Sequence, residues 1–558
     1  MSGGSAPPAA ARLERASRRR ARLARASVGT GLGTLLSRAT GLVRLVVAAY
    51  ALGGLRLADA FNLANNTPNM VHDLVLGGVL AATFVPVFVD QLATRPLRQA
   101  EASMSAVVTL AGTVLVAATV LLVLGAPAII DLLTLGRATP TEHAIAVTLL
   151  RLFAPQLLFY GAISIASALL ATKDRFGAVG FAPVVNNVVA IVVLAVFAAL
   201  AGRRAVESGA VLHDRALIAF LGVGTTAGVA LQALALVPAL RRAKVRVSFR
   251  WRPRDPAVRA IVALSGWTFG FVVANQVALF VVLAMEFHLG TSNVTAYTYG
   301  FTFFQLPFAV VAVSVINVAS PDLARLHTAG RLDAVGRRLG VALRQTLAFV
   351  LPAAVGYLVL ARPIVTLTLE HGAFGAASAR LTASVLAMFA LGLPGFCTFF
   401  LAVRALQAMR DTRTAFVLYV LENGTNLLAA ALLYHPLGAR GLALAYSIAY
   451  TVGAGAALAV LRERLGTIGG RRLLAATARS AALSLLMAFA VALVSALLGA
   501  GGGAWGWLAL VLEVAVGAAV YLGGAGVAGS LASWQTSRHT PSGTRGARGD
   551  RNRHRRGG

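Results

Sequence analysis

The sequence has little of what a large soluble protein is built from. Of its 558 residues only 13% are charged and 7% aromatic; one is cysteine, and Lys173 and Lys244 are the only lysines. Cys397 has no partner for an internal disulfide, and its apolar surroundings make it a packing residue. The strand-like alternation of a membrane barrel is missing, which leaves helices as the one architecture that lipid tolerates. No GxxxxGK[ST] loop, HExxH pair or GxSxG elbow occurs, so the chain offers no ATP-hydrolysing, zinc-peptidase or serine-hydrolase centre. It reads as a non-enzyme without a resident cofactor or metal. Any transport it performs must draw on a coupling ion, H+ or Na+, on the membrane potential, or on removal of product.

What is present is hydrophobic length. Apolar residues make up 58% of the chain and the mean hydropathy is +0.77, in runs long enough to cross a hydrocarbon layer that needs about 20 residues per helix. The expected fold is therefore an all-α polytopic membrane protein. Apolar runs between charges and turn residues predict fourteen helices, near 28–53, 59–92, 102–125, 143–172, 177–201 and 215–240, then 257–287, 294–320, 340–362, 377–404, 413–434 and 439–462, and finally 472–499 and 505–533. The first twelve divide into an N-lobe (28–240) and a C-lobe (257–464) around a basic linker (241–256), with a C-terminal helix pair (465–533) after them.

Charge gives an independent test of the count. The net charge of +30 comes from 50 basic and 20 acidic residues, and the basic ones crowd into the tails and alternate joints. Residues 1–27 carry Arg12, Arg15, Arg18, Arg19, Arg20, Arg22 and Arg25, and the tail 534–558 is again arginine-rich. An even number of crossings with both tails cytoplasmic satisfies the positive-inside rule. Topology and attraction to anionic lipid account for these charges, and nucleic acid is not an expected partner. A signal peptide does not fit the first hydrophobic stretch, which contains Arg38 and Arg44.

A faint repeat supports the two-lobe plan. A shift of 237 positions brings Ala168, Leu169, Ala171, Asp174, Ala178 and Asn186 onto Ala405, Leu406, Ala408, Asp411, Ala415 and Asn423. It maps helices four and five onto ten and eleven with the same orientation, as in parallel-repeat transporters.

Polar residues within the spans point to a wet interior. Asp59, Asn62, Asn66, Asn69 and Asp73 recur every three or four residues and share one helix face; with Pro68 among them, this reads as a bent helix lining a cavity. Single asparagines also serve as interhelical glue, worth about 0.6–2 kcal/mol each, but two carboxylates on the same stripe favour a function. In helix one, Ser37, Gly41 and Arg44 share a face, with Arg38 a third of a turn away; a central arginine costs about 2.5–3.5 kcal/mol unless it meets a partner or water. Snorkelling to the headgroups, or pairing with Asp73, is the competing account. Asn186 and Asn187, Asn275 and Gln276, Thr298, Thr302 and Gln305, and Glu422, Asn423 and Asn426 extend the pattern into both halves. The expected substrate site is a cavity between lobes formed by Arg38, Arg44, Asp59, Asn62, Asn66, Asn69, His72, Asn275, Thr302 and Gln305. Guanidinium groups there suit phosphate or carboxylate. Asp59, Asp73, Glu422, Asn423 and Asn426 are the candidates for a coupling ion.

SRATGLVRLVVAAYALGG, followed by ADAFNLANNTPNMVHDLVLGGVLAATFVPVF, resembles the opening two helices of the MurJ (MviN) lipid II flippase family of the MOP transporter superfamily. Weaker similarity continues through FAPVVNN and QLPFAVVAVSV. The likeness is nearest to the actinobacterial branch, without its pseudokinase-like extension. It implies an alternating-access flippase in the bacterial cytoplasmic membrane that moves an undecaprenyl-pyrophosphate-linked disaccharide-pentapeptide, lipid II, from the inner to the outer leaflet for peptidoglycan synthesis. Helices 1, 2, 7 and 8 would line the headgroup cavity, and helices 13 and 14 would hold the lipid tail. Arg38 and Arg44 match essential arginines of the family's first helix, and Asp59 the acidic residue opening its second. The chain departs from the family at His72 and Asp73, at Leu45, and at Thr302 and Gln305, where the family carries paired arginines, an acidic residue, and an Arg and a Glu. The cavity has thereby lost positive charge. The alternatives are a carrier of another polyprenyl-linked glycan or amphiphile on the same fold, or a transport-inactive scaffold gathering cell-wall synthesis or division proteins.

Overall fold

The computed structural model describes residues 32–77, 96–172, 175, 177–243, 247–499 and 502–538. Fourteen long helices run through them: α1 Leu32–Leu52, α2 Arg56–His72, α3 Leu97–Leu124, α4 Pro140–Ala171, α5 Gly177–Ala201, α6 Arg215–Arg242, α7 Pro256–His288, α8 Asn293–Thr328, α9 Leu332–Leu369, α10 Ala376–Ala408, α11 Thr412–Leu437, α12 Ala439–Leu465, α13 Gly470–Leu498 and α14 Gly503–Arg538. No strand occurs among the described residues. Thirteen of the helices are long and apolar enough to cross a membrane. The remaining one is α2, whose described α-helical part is 17 residues long.

Helices α1–α6 pack as one bundle and α7–α12 as another, and α13 and α14 pack on each other and on α9. The N-lobe core gathers apolar residues of α2, α4, α5 and α6 around Phe61 and Phe153, whose rings meet edge to face at 5.4 Å. The C-lobe core is aromatic: Phe304 of α8, Phe389 and Phe396 of α10, and Tyr446 and Tyr450 of α12 interlock with ring centroids 4.6–6.0 Å apart. Such pairs add about 0.5–1.5 kcal/mol each beyond area burial. The 237-residue repeat survives in the helix ends, because α4 stops at Ala171 and α10 at Ala408, which is 171 plus 237. Asp411 then caps α11, its carboxylate accepting the Thr414 N–H at 3.1 Å and pairing with Arg464 of α12; its counterpart Asp174 lies outside the described residues.

The helix expected over 59–92 begins at Arg56, runs through Pro68 and widens at Asp73–Gly77 into a π-helical turn; residues 78–92 lie outside the described residues, as do the tail 1–27 and residues 539–558. Pro68 does not break it. Helices α8 and α9 extend well past their apolar stretches, to Thr328 and back to Leu332, since Asp322 pairs there with Arg325 and Arg338 at 2.5 and 3.1 Å and keeps charged turns helical. A short helix, Ala126–Thr134, follows α3 without a counterpart in the sequence reading.

Contacts between the lobes concentrate at the end bearing the α1–α2 turn. There the Ala373 N–H donates to the Tyr50 carbonyl at 3.0 Å, and the Ser378 hydroxyl approaches the Gly54 carbonyl at 3.4 Å. Towards the other end α7 bridges the lobes among the described residues, its first two turns packing against α3 and the π-helical turn through Ala257, Val258 and Ile261. One end is thus latched, and a space is left between the lobes.

Candidate functional site

That space is a cavity of about 480 Å³ walled by α1, α2, α4, α5, α6, α7 and α8. Its polar wall starts on α1, where the glycine at position 41 leaves room beside Arg44, and both residues face inward. On α2, Asn62, Asn65, Asn66, Asn69 and Asp73 follow one another down the wall, the arrangement that a three- and four-residue spacing dictates. Opposite them stand Gln276 and Glu286 of α7 and Thr298, Tyr299 and Thr302 of α8. The face of α2 turned away from the cavity is apolar and buried in the N-lobe core through Leu57, Ala60, Leu63 and Ala64. Burial on that side orients the asparagines.

Arg44 is the cavity's one cationic side chain among the described residues, and no carboxylate lies within ion-pair distance of it. It is a guanidinium on the wall of a polar cavity. Arg38 is exposed and absent from the wall. The reason is angular: six residues of helix separate the two arginines, leaving them about 120° apart on the circumference. Arg44 thus lies on the cavity wall and Arg38 does not.

Asp59 is elsewhere too. Only 4% exposed, it reaches from the start of α2 across to the other lobe, where its Oδ2 accepts the Ser292 N–H at 2.6 Å and its Oδ1 accepts the Thr295 N–H and hydroxyl at 2.9 and 2.6 Å. These N–H groups belong to the first turn of α8, whose own N-cap residue Ser292 makes no side-chain cap. A carboxylate from the N-lobe thus caps a helix of the C-lobe, where the helix dipole favours negative charge. Asn62 adds a bond to the Thr295 hydroxyl at 3.2 Å. Beyond Asp59, Arg137 donates to His288 Nε2 at 2.8 Å, again from lobe to lobe, and Arg56 pairs with Glu142 at 3.3 Å. Together these bonds seal the cavity at this end.

The other expected residues divide. Asn66, Asn69, Asp73 and Thr302 line the wall. His72 turns behind it, bonded to Asp73 at 3.1 Å and to Ser164 of α4 at 3.0 Å. Asn275 and Gln305 do not reach the wall among the described residues; Gln276, Thr298 and Tyr299 do. Asn187 ties α5 to α1 through the Ser37 carbonyl and the Thr40 hydroxyl, both at 3.0 Å, while its neighbour Asn186 lines the cavity. Glu422, Asn423 and Asn426 form a separate buried group on α11, in which Asn423 donates to Glu422 at 2.9 Å and the Asn426 amide oxygen has no partner. Glu286, only 2% exposed and on the cavity wall, was not anticipated. Its signal was available, as a lone acid in the apolar run VVLAMEF.

A second cavity, of about 660 Å³ and largely apolar, opens between α1, α5, α9 and the start of α14 at Trp507. Cys397 is buried and free.

The family model described as Lipid II flippase MurJ matches residues 48–511. A probable lipid II flippase MurJ of Rhizobium meliloti (strain 1021) is 31% identical over 433 residues, covering 76% of this chain and 78% of that protein. The lipid II flippase MurJ of Burkholderia cenocepacia is 26% identical over 387 residues, covering 68% and 72%. Among solved structures, a lipid II flippase MurJ in an inward closed conformation superposes with a TM-score of 0.73 at 22% identity, covering 89% of this chain and 98% of that one. An inward-facing multidrug resistance transporter of the MATE family, in the MOP superfamily, gives 0.64 at 13% identity, covering 76% and 94%. At these identities the superpositions speak for the fold.

Proposed function

The chain belongs to the MurJ family of lipid II flippases, and on that premise we propose that it carries the undecaprenyl-pyrophosphate-linked disaccharide-pentapeptide from the inner to the outer leaflet by alternating access. The observation that carries this reading is Arg44, an unpaired guanidinium in a polar cavity between two lobes that are latched at one end. The cavity accepts the headgroup, Arg44 binds the pyrophosphate bidentately, and the asparagines of α2 hydrogen-bond sugar and peptide. The polyprenyl chain stays in lipid, beside the apolar opening that ends at Trp507. A disaccharide with five amino acids is larger than 480 Å³, so loading parts the lobes further before the latched end opens.

The basic joints and tails support a cytoplasmic-membrane location with both termini inside, which puts the latched end on the outer face. The tails attract anionic lipid. For the driving force, the Glu422–Asn423–Asn426 group with its unpartnered amide oxygen and the cavity carboxylate Asp73 are the proposed H+ or Na+ sites, acting with or in place of the membrane potential.

The test is a leaflet-accessibility assay in cells depleted of their own flippase. Wild-type protein restores outer-leaflet lipid II, and Arg44→Ala at equal abundance leaves it inside. Normal export by Arg44→Ala removes the central premise. Failure of the wild type to export lipid II while exporting another polyprenyl-linked glycan would reassign the cargo.

A further inference from the structure

A basic cavity would be the simple match to pyrophosphate, and this one is not basic. Against Arg44 stand two carboxylates, Asp73 and Glu286. Asp73 sits where α2 gives way to its π-helical turn, half exposed and already bonded to His72. Glu286 is different: nearly inaccessible to bulk water, it lies close to the latched end of α7, and no described residue gives it a hydrogen bond or ion pair. Asp59, whose oxygens are taken up by the first turn of α8, supplies no counter-ion for it. Tyr299 is also buried on the same wall.

A buried carboxylate without a partner costs several kcal/mol unless a proton, a metal ion or a cationic group of a ligand neutralises it. A metal has too few ligands here, for no group of three His, Cys, Asp or Glu side chains gathers among the described residues. Arg44 and Glu286 belong to different helices, share one cavity and leave each other unpaired. The wall thus carries one cationic and two acidic side chains, with the asparagines of α2 along the same cavity.

We propose that Glu286 is a specificity residue that receives a primary ammonium carried by the peptide of the headgroup while Arg44 holds the pyrophosphate. The proposal rests on the flippase reading above and narrows it to cargo that is zwitterionic across its headgroup. Unpaired charges reject a wrong partner more strongly than they reward a right one, so a headgroup without the amine leaves Glu286 buried and uncompensated.

The experiment measures binding to the purified full-length protein in nanodiscs. The probes are lipid II with a free peptide side-chain amine, the same lipid with that amine acetylated, and farnesyl pyrophosphate, which has no headgroup. Wild type should bind the free amine at least about tenfold more tightly than the acetylated form (about 1.4 kcal/mol). Glu286→Gln should bind both lipids at one level, and Glu286→Asp should recover part of the preference. Farnesyl pyrophosphate binding should be no weaker in Glu286→Gln and lost in Arg44→Ala. The proposal is overturned if wild type ignores acetylation, if Glu286→Gln keeps the preference, or if Glu286→Gln loses farnesyl pyrophosphate as well, which would make Glu286 structural. Wild type that binds no pyrophosphate at all overturns the flippase reading with it.

Discussion

Asp59 shows how one side chain can couple two lobes. Its carboxylate satisfies two backbone N–H groups and a hydroxyl of α8 that would otherwise be buried without partners, and each such orphan costs about 1–3 kcal/mol. Asp59→Ala should therefore weaken the latched state by a few kcal/mol. Cysteine accessibility at Thr295, read with a membrane-impermeant thiol reagent, should rise relative to the same reporter with Asp59 intact; unchanged labelling would mean that the cap is dispensable. A contrast is expected at Arg38. Being off the wall, it should tolerate Ala with most of the export activity retained, whereas Arg44→Lys, which keeps the charge and loses the planar fork, should fall about tenfold or more. Equal loss at Arg38 and Arg44 would place both on the transport path. Arg44 was legible in the sequence because an arginine inside an apolar run must find water or a partner, and the same reasoning applied to Glu286 would have found it. Which member of a polar pair faces inward was not legible: Asn186 but not Asn187, Gln276 but not Asn275. Adjacent residues point about 100° apart, and only tertiary packing chooses between them.

At the scale of the element, α1 carries Arg44 and is held by close packing along its first half. A Cβ on Gly33 would come within 2.8 Å of the Gly180 backbone of α5, closer than real atoms approach. Gly33→Leu should thus displace α1 from α5 at a cost of about 1–3 kcal/mol, visible as a lower apparent Tm and weaker farnesyl pyrophosphate binding in the same sample. Full binding at wild-type Tm would show that α1 can shift without carrying Arg44 off the wall. The repeat is kept in the ends of helices four and ten, 237 positions apart at Ala171 and Ala408, although the apolar runs place those ends at 172 and 404. Less was visible where charge takes over from hydropathy: the turns around Asp322, Arg325 and Arg338 remain helical through ion pairs, and a reading of apolar runs stops short of them.

For the whole molecule, the two-lobe plan and the face of α2 could be read from spacing and charge alone, because lipid restricts the architecture and a stripe of asparagines cannot face it. The latch could not. Its partners lie far apart in sequence, Asp59 with Thr295, Arg137 with His288 and Tyr50 with Ala373, and no local pattern links them. If transport requires this end to part, a tether across it must stop the cycle. Cysteines at Arg137 and His288, in a Cys397→Ser background, replace side chains that meet at 2.8 Å; a short reducible bis-thiosulfonate should bridge them. Export of lipid II should cease on cross-linking and return when the bridge is reduced. The same reagent applied to cysteines at Arg203 and Glu207, an exposed pair within the N-lobe, should leave export intact. Undiminished export with the lobes fully bridged at this end would rule out the rocking of one lobe against the other.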